Sequence, residues 1–299
     1  MRRALLLLSL LLATDATADD LVLRAGNLRI EVDEAAAYPG GLLVVRLRSP
    51  RPLATTYAIL DGWRFPFFAS RGVLRALVPI QVGTRPGPAR LGIEIRGARG
   101  RRRVPVDVQV LPRSYPPRVR VVPETERPLF ALPSRARDAR LLLQALRTIS
   151  TAPAWSGRFQ SPLAEGPGQT GSGFGGVSTY VGGSPVEEMT DSIHGEYHRG
   201  LDFEVPPGTP VLAPAAGTVL LARPLALSGI TVVLDHGQGV ISALYHLSRL
   251  DVRDGQRVDA GAPVGLSGAS GLAIGAHLHW GVYVHAIAVD PTAFEKLMN

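Results

Sequence analysis

The chain has 299 residues, a length that allows about two domains, and carries a formal charge of +7. It holds no cysteine, so disulfides cannot staple it and packed cores must supply its stability. The positive charge is almost all arginine, with Lys296 the only lysine, which suits contact with anionic polymers or simply a solvated Arg-rich surface.

Residues 1–18 read as an export leader. Arg2 and Arg3 open it, residues 4–13 are apolar, and Ala16-Thr17-Ala18 is a small-x-small cleavage site. The apolar run is too short to span a bilayer, and no cysteine follows for lipid attachment. Cleavage ahead of Asp19 is expected, with export to the periplasm, the cell envelope or the outside of a bacterium. No second long apolar segment follows, so a soluble mature form is expected.

Residues 19–112 read as all-β. Apolar residues alternate at Leu28-Arg-Ile30-Glu-Val32, Leu91-Gly-Ile93-Glu-Ile95 and Val104-Pro-Val106-Asp-Val108-Gln-Val110. Turn clusters at Pro39-Gly40-Gly41 and Arg85-Pro86-Gly87-Pro88 separate them, a spacing that suggests a small sandwich. Arg99-Gly-Arg-Arg-Arg103 is most simply a solvated hairpin tip, with an anionic polymer as the alternative contact; nucleic acid is not expected.

Residues 113–157 form a connector. Tyr115-Pro116-Pro117 opens it, and Val119-Arg120-Val121 suits a strand. Ser134 suits a helix N-cap, and Ala139, Leu142, Leu143, Leu146 and Ile149 fall on one helical face before Pro153. Residues 158–196 are rich in Gly, Ser and Pro and read as a long loop, of a length usually functional or disordered.

All seven histidines fall at or after His194. Tyr197-His198-Arg199-Gly200-Leu201-Asp202 reads as half of a metal site, and Ala276-His277-Leu278-His279-Trp280 as the other half, with Tyr245-His246-Leu247 between them. Leu201, Phe203 and Val205 alternate, which predicts a strand. Side chains four apart on an extended strand stand about 13 Å apart, too far to chelate one ion. His198 must therefore sit in a bend before the strand, which Gly200 allows. His277 and His279 share one face of a second strand, and Leu278 and Trp280 the other. A His/Asp/His set with an open fourth position suits zinc. Spacing does not decide which of His277 and His279 is the ligand.

Further strands are expected at 211–212, 218–221, 230–234 and 240–245, and a hairpin over 254–265. That hairpin pattern also occurs in biotin and lipoyl carriers, but those need a lysine at the tip, and Lys296 lies at the chain end. His194 and His285 read as surface or structural residues, and His236 as a polar residue of a turn. Tyr245 or Tyr283 is expected to border the cleft, and residues 182–191 to wall it. Glu187, Glu188 or Asp191 in that loop could cap the metal in a latent state.

The residues His198-Arg-Gly-Leu-Asp202-Phe, Gly208-Thr-Pro-Val-Leu-Ala-Pro-Ala-Ala-Gly217, Asp235-His-Gly237, Tyr245-His246-Leu247-Ser248, Gly255-Gln-Arg-Val258 and His277-Leu-His-Trp280 together resemble the lysostaphin-like M23 family of zinc metallopeptidases. The likeness covers about residues 158–295. It implies a mainly β protein: a small Ig-like β-sandwich (19–112), a short helical connector (113–157), and an antiparallel β lysostaphin-like peptidase domain (158–299). It implies that His198, Asp202 and His279 hold one Zn2+, that His246 and His277 are the unligated catalytic pair, and that the substrate is a peptidoglycan stem or cross-bridge. The family usually shows Ser-x-Phe-Gly-x-Arg upstream; here Ser172-Gly173-Phe174-Gly175 fits, but Val177 stands where the arginine would. Two rivals are a non-enzymatic relative that activates a cell-wall amidase, and a wall-binding module with a structural metal. The first is disfavoured by the presence of all five residues, and the second by the absence of a fourth protein ligand.

Overall fold

The structure, a computed structural model, describes residues 20–53, 55–70, 72–97, 100–155, 158–164, 169–181 and 197–298. The expected leader, Arg99, the loop residues Glu187, Glu188 and Asp191, and His194 lie outside the described residues.

The N-terminal part has nine strands: β1 (Asp20–Ala25), β2 (Leu28–Ala36), β3 (Leu42–Arg48), β4 (Thr56–Leu60), β5 (Trp63–Pro66), β6 (Phe68–Ser70), β7 (Val73–Pro79), β8 (Gly87–Gly97) and β9 (Gly100–Val110). They form two antiparallel sheets in the orders β1-β2-β3-β7-β6 and β5-β4-β8-β9. Period-two alternation aims Ile30 and Val32 from one sheet, and Leu91, Ile93, Val106 and Val108 from the other, into one core around Phe65.

The connector contributes β10 (Arg118–Val121) and the helix α1 (Arg135–Leu146). Ser134 makes no side-chain cap; the Asp138 carboxylate instead accepts a hydrogen bond from the Ala226 N–H at 3.0 Å, tying the helix to the sheet. Ile149 falls beyond the helix and is exposed, because α1 ends at Leu146 before the predicted apolar stripe is complete.

Twelve-residue α1 covers one face of a ten-stranded sheet. Its strands are β11 (Gln169–Ser172), β13 (Leu201–Glu204), β14 (Pro210–Leu212), β15 (Gly217–Leu225), β16 (Gly229–Gly237), β17 (Val240–Leu250), β18 (Arg257–Val258), β19 (Pro263–Ser267), β20 (Leu278–Val284) and β21 (Ile287–Val289). A further strand, β12 (Ser178–Val181), pairs in parallel with β10, and α2 (Pro291–Met298) closes the chain. The central order is β11-β13-β20-β17-β16-β15-β18. Alternation divides the central strands between two cores. Leu142, Ala145 and Leu146 of α1 pack with Val233, Ile241, Ala243, Tyr245 and Tyr283 on one face. Val232, Leu234, Leu244, Trp280 and Val282 pack with Phe203 on the other. These strands read as nearly continuous apolar runs because both faces are buried.

Two sequence expectations change. The segment read as a loop over 158–196 contains β11 and β12; neither shows apolar alternation, and partners β13 and β10 impose the extended backbone. The 254–265 segment is not a hairpin, since β18 pairs with β15 while β19 pairs with β14 and β17. The two halves also share a core: Leu42, Val44 and Leu77 face away from the sandwich and pack with the peptidase-side residues Phe174, Leu201 and Val284. Burying each such side chain contributes roughly 1.5–3 kcal/mol. The junction is laced by Arg75 Nη2 donating to Gln238 Oε1 at 2.8 Å and the Asp290 N–H donating to the Gly40 carbonyl at 2.8 Å.

His236 is not a polar turn residue. It is the penultimate residue of β16 and fully buried, with Nδ1 donating to the Ala216 carbonyl at 2.9 Å and its ring edge-on to Phe159. Burial pushes its pKa down to about 4. An unfolded histidine takes up its proton near pH 6.5, so acid protonates the unfolded chain first. The stability this residue contributes is intact above about pH 6.5 and is lost as pH falls toward 4, by about 3 kcal/mol in all. Urea unfolding at pH 7 and pH 4.5 should show this loss, and His236→Asn should show a flatter pH slope.

Candidate metal centre

Register builds the site. β13 pairs antiparallel with β20 so that Asp202 stands opposite His279, and β20 pairs with β17 so that His279 stands opposite Tyr245. Directly opposed residues share a face at close range. His198 precedes β13 in a segment without regular structure, as the distance argument requires. It is clamped by two backbone hydrogen bonds, His198 N–H to the Gly176 carbonyl and Gly175 N–H to the His198 carbonyl, each 2.8 Å. Phe174, buried in the main core, anchors that clamp.

Gly200 lies in a bend, as expected, and it also acts through space. A Cβ there would lie 2.3 Å from the Trp280 carbonyl oxygen and 2.7 Å from His279 Nε2. Only a glycine lets the His198 segment lie this close to β20.

Three donor atoms converge. His198 Nε2 lies 3.0 Å from Asp202 Oδ1, His279 Nδ1 lies 2.7 Å from the same oxygen, and the two nitrogens are 3.0 Å apart. All three side chains are buried or nearly so. His198 Nδ1 lies 2.8 Å from the Gly173 carbonyl oxygen, which can only accept. Nδ1 therefore carries the proton and Nε2 presents its lone pair inward. Of His277 and His279, it is His279 that joins the cluster.

Burial alone would raise the Asp202 pKa, but the His198 and His279 imidazoles beside it hold it well below the usual carboxylate range. Burial pushes His279 down to about 4. A carboxylate flanked by two imidazole nitrogens is a donor set that a divalent metal takes. Two nitrogens and one oxygen, with a fourth position open, fit zinc of the catalytic kind.

His277 and His246 flank this cluster. Their rings are 4.7 Å apart. His246 Nδ1 donates to the Ser270 carbonyl at 2.8 Å and His277 Nδ1 to the Gly275 carbonyl at 2.9 Å, which leaves both Nε2 atoms as acceptors. His277 Nε2 is buried, 3.8 Å from Asp202 Oδ1, and has no hydrogen-bond partner among the described residues. Burial first, then the neighbouring His277 and His279, push His246 down to about 3.

Strict alternation would aim His246 to the face opposite Tyr245. Leu244 pairs with Val232 and Leu247 with Ile230, so two residues of β17 oppose one of β16, and His246 has a φ of +60°. This β-bulge re-aims His246 toward His277, at the cost of a backbone conformation that histidine adopts more readily than most residues. Tyr245 and Tyr283 do not border the cleft. They are buried in the α1-side core with their hydroxyls 3.3 Å apart. His285 sits at the junction of the two halves, its ring 5.6 Å from Phe65, away from the cluster.

A cleft of about 700 Å³ opens beside the cluster, lined by Arg118, Gly171, Gly173, Glu204, Ile274 and His277 among others. Arg118 is the site residue that sequence reasoning missed. Its Nη2 donates to Asp202 Oδ2 at 3.0 Å from 84 residues away.

A buried His/Asp/His cluster beside two imidazoles with free Nε2 atoms defines a metallopeptidase-type centre. The sequence model for peptidase family M23 matches residues 196–291. An uncharacterized metalloprotease of Haemophilus influenzae is 42% identical over 95 residues, which is 31% of this chain and 20% of that protein. The peptidoglycan DD-endopeptidase ShyA of Vibrio cholerae is 39% identical over 93 residues, 31% of this chain and 22% of its own length. The match thus spans about a fifth of these curated relatives. A crystal structure described as a peptidase M23 from Pseudomonas aeruginosa superposes with a TM-score of 0.59 at 30% identity, over 87% of this chain and 95% of that one. The chain belongs to peptidase family M23, and the His198, Asp202 and His279 metal site of a metalloprotease is intact in it.

Gly200→Ala should push β20 and His279 away from Asp202. Zinc affinity, measured by chelator competition, is expected to fall by about tenfold or more, with the far-UV circular dichroism of the β-structure retained.

Proposed function

We propose that this protein is an exported zinc metalloendopeptidase that hydrolyses peptide bonds of peptidoglycan stems or cross-bridges. The observation that carries the reading is the convergence of His198 Nε2, Asp202 Oδ1 and His279 Nδ1 beside the free Nε2 atoms of His246 and His277. Peptidoglycan as substrate is supported by the similarity to ShyA, a peptidoglycan DD-endopeptidase. Export rests on residues 1–18 and on a wall polymer lying outside the cytoplasm. Among the described residues no helix is long and apolar enough to cross a membrane. The same reading takes 19–112 as an Ig-like module, 113–157 as a connector and 158–299 as the peptidase unit.

Bound at this centre, Zn2+ would supply a Lewis acid for the scissile carbonyl and acidify the attacking water. The chain's own residues do the proton work. The Ser270 and Gly275 carbonyls fix the tautomers of His246 and His277, so each Nε2 enters the reaction as an acceptor. Water adds to the carbonyl carbon as its proton passes to one Nε2. That imidazolium then protonates the departing amine as the C–N bond breaks. The other imidazole orients the attacking water by accepting a hydrogen bond from it. The chain has no His-Glu-x-x-His motif, and histidine takes the role that the glutamate of that motif has.

Purified peptidoglycan should yield peptide-cleaved fragments by mass spectrometry with the wild type, and none with the His198→Ala, Asp202→Ala double variant, which should also lose its zinc. Zinc bound by neither protein, with no cleavage, would refute the enzyme and leave a non-enzymatic regulator. His246→Ala and His277→Ala should each keep zinc while kcat falls by about 10²–10⁴. Loss of zinc in His277→Ala would move that residue into the ligand set.

A further inference from the structure

We propose that Arg118 is a positioning residue of the metal centre, supplied from outside the segment that matches the family. It rests on the assignment of His198, Asp202 and His279 as ligands. Arg118 opens β10, the strand that pairs in parallel with β12, and its N–H donates to the Val177 carbonyl at 2.7 Å. Its side chain runs over Gly176: a Cβ at that glycine would lie 2.9 Å from Arg118 Cδ and 3.1 Å from Cγ. The guanidinium then reaches Asp202, Nη2 donating to Oδ2 at 3.0 Å, with the arginine side chain 16% exposed and the aspartate 7%.

The two oxygens of Asp202 are thereby given different duties. Oδ1 faces His198 and His279, while Oδ2 is held by Arg118. Holding the second oxygen restricts rotation of the carboxylate and favours its use as a one-oxygen ligand. Partners that hydrogen-bond a ligating carboxylate orient it, and their loss typically weakens metal binding 10–100-fold.

Gly176 couples this arrangement to the rest of the site. Its carbonyl accepts from the His198 N–H, and its Cα face carries the Arg118 side chain. One short loop therefore orders two parts of the centre at once. The position is also notable in sequence. The Ser-Gly-Phe-Gly run leads to Val177, where the resembled family has an arginine, and the strand beside Val177 delivers a guanidinium instead.

The test uses the full-length protein and its Arg118→Ala, Arg118→Gln and Arg118→Lys variants. Zinc affinity is read by chelator competition, and kcat and KM on peptidoglycan peptides are read separately. Arg118→Ala and Arg118→Gln are expected to bind zinc about 10–100-fold more weakly, with kcat lowered and KM little changed. Arg118→Lys keeps the charge but not the planar fork and should fall between them and the wild type. If Arg118→Ala does not fold, as judged by circular dichroism, Arg118→Lys carries the test with the same expected direction. Unchanged or tighter zinc binding in the folded variants would overturn the proposal, the tighter case meaning that the guanidinium merely competes with the ion for Asp202. A rise in KM with zinc affinity unchanged would also overturn it, by making Arg118 a substrate contact. A wild type that binds no zinc would overturn the ligand assignment itself, and this proposal with it.

Discussion

The centre depends on one register: Asp202 opposite His279 across the β13–β20 pair. A slip of one residue would turn Asp202 toward the core and bring Leu201 or Phe203 to the metal side. That slip is opposed by apolar burial. Phe203 and Trp280 stack with ring centroids 6.4 Å apart and are almost fully buried in the main core. The residues that never touch substrate thus decide where the ligands stand. The strands carrying the site are buried on both faces, which gives a charged cluster a stiff frame to converge on.

The frame also explains why the charged groups tolerate burial. Asp202 accepts from Arg118 and lies against the nitrogens of His198 and His279, and each imidazole of the site places one nitrogen on a backbone carbonyl or on Asp202. A buried carboxylate without such partners would be costly. Here the desolvation is offset group by group, and the His277 Nε2 that stays unmatched faces the cluster where chemistry is expected.

Much of this was legible in the sequence because it is local. The His198-x-x-x-Asp202 and His277-x-His279 spacings, the Leu278/Trp280 backing and the alternating strands all follow from period-two geometry. What escaped is long-range or breaks the period. Strands β11 and β12 carry no apolar alternation and are held by partners distant in sequence. The bulge after Tyr245 re-aims His246 against the alternation, while Tyr245 follows Ile241 and Ala243 into the α1-side core when a cleft position was expected. Gly200 was legible as a bend, but not as a point of close approach to β20. Arg118 lay in a segment read as a tether, with no spacing to link it to Asp202.

The double burial of β3 and β7 bears on how such a chain can change over generations. Their two faces answer to different neighbours, Leu43 and Val45 to the sandwich, Leu42 and Val44 to the peptidase side. A drift in one face leaves the other's packing untouched, but a recombination that swaps in a foreign N-terminal module replaces both faces at once. The recipient sheet would then meet a surface it was never shaped for. The seam between the halves is therefore a poor place for shuffling, and the two halves are expected to be inherited as one piece.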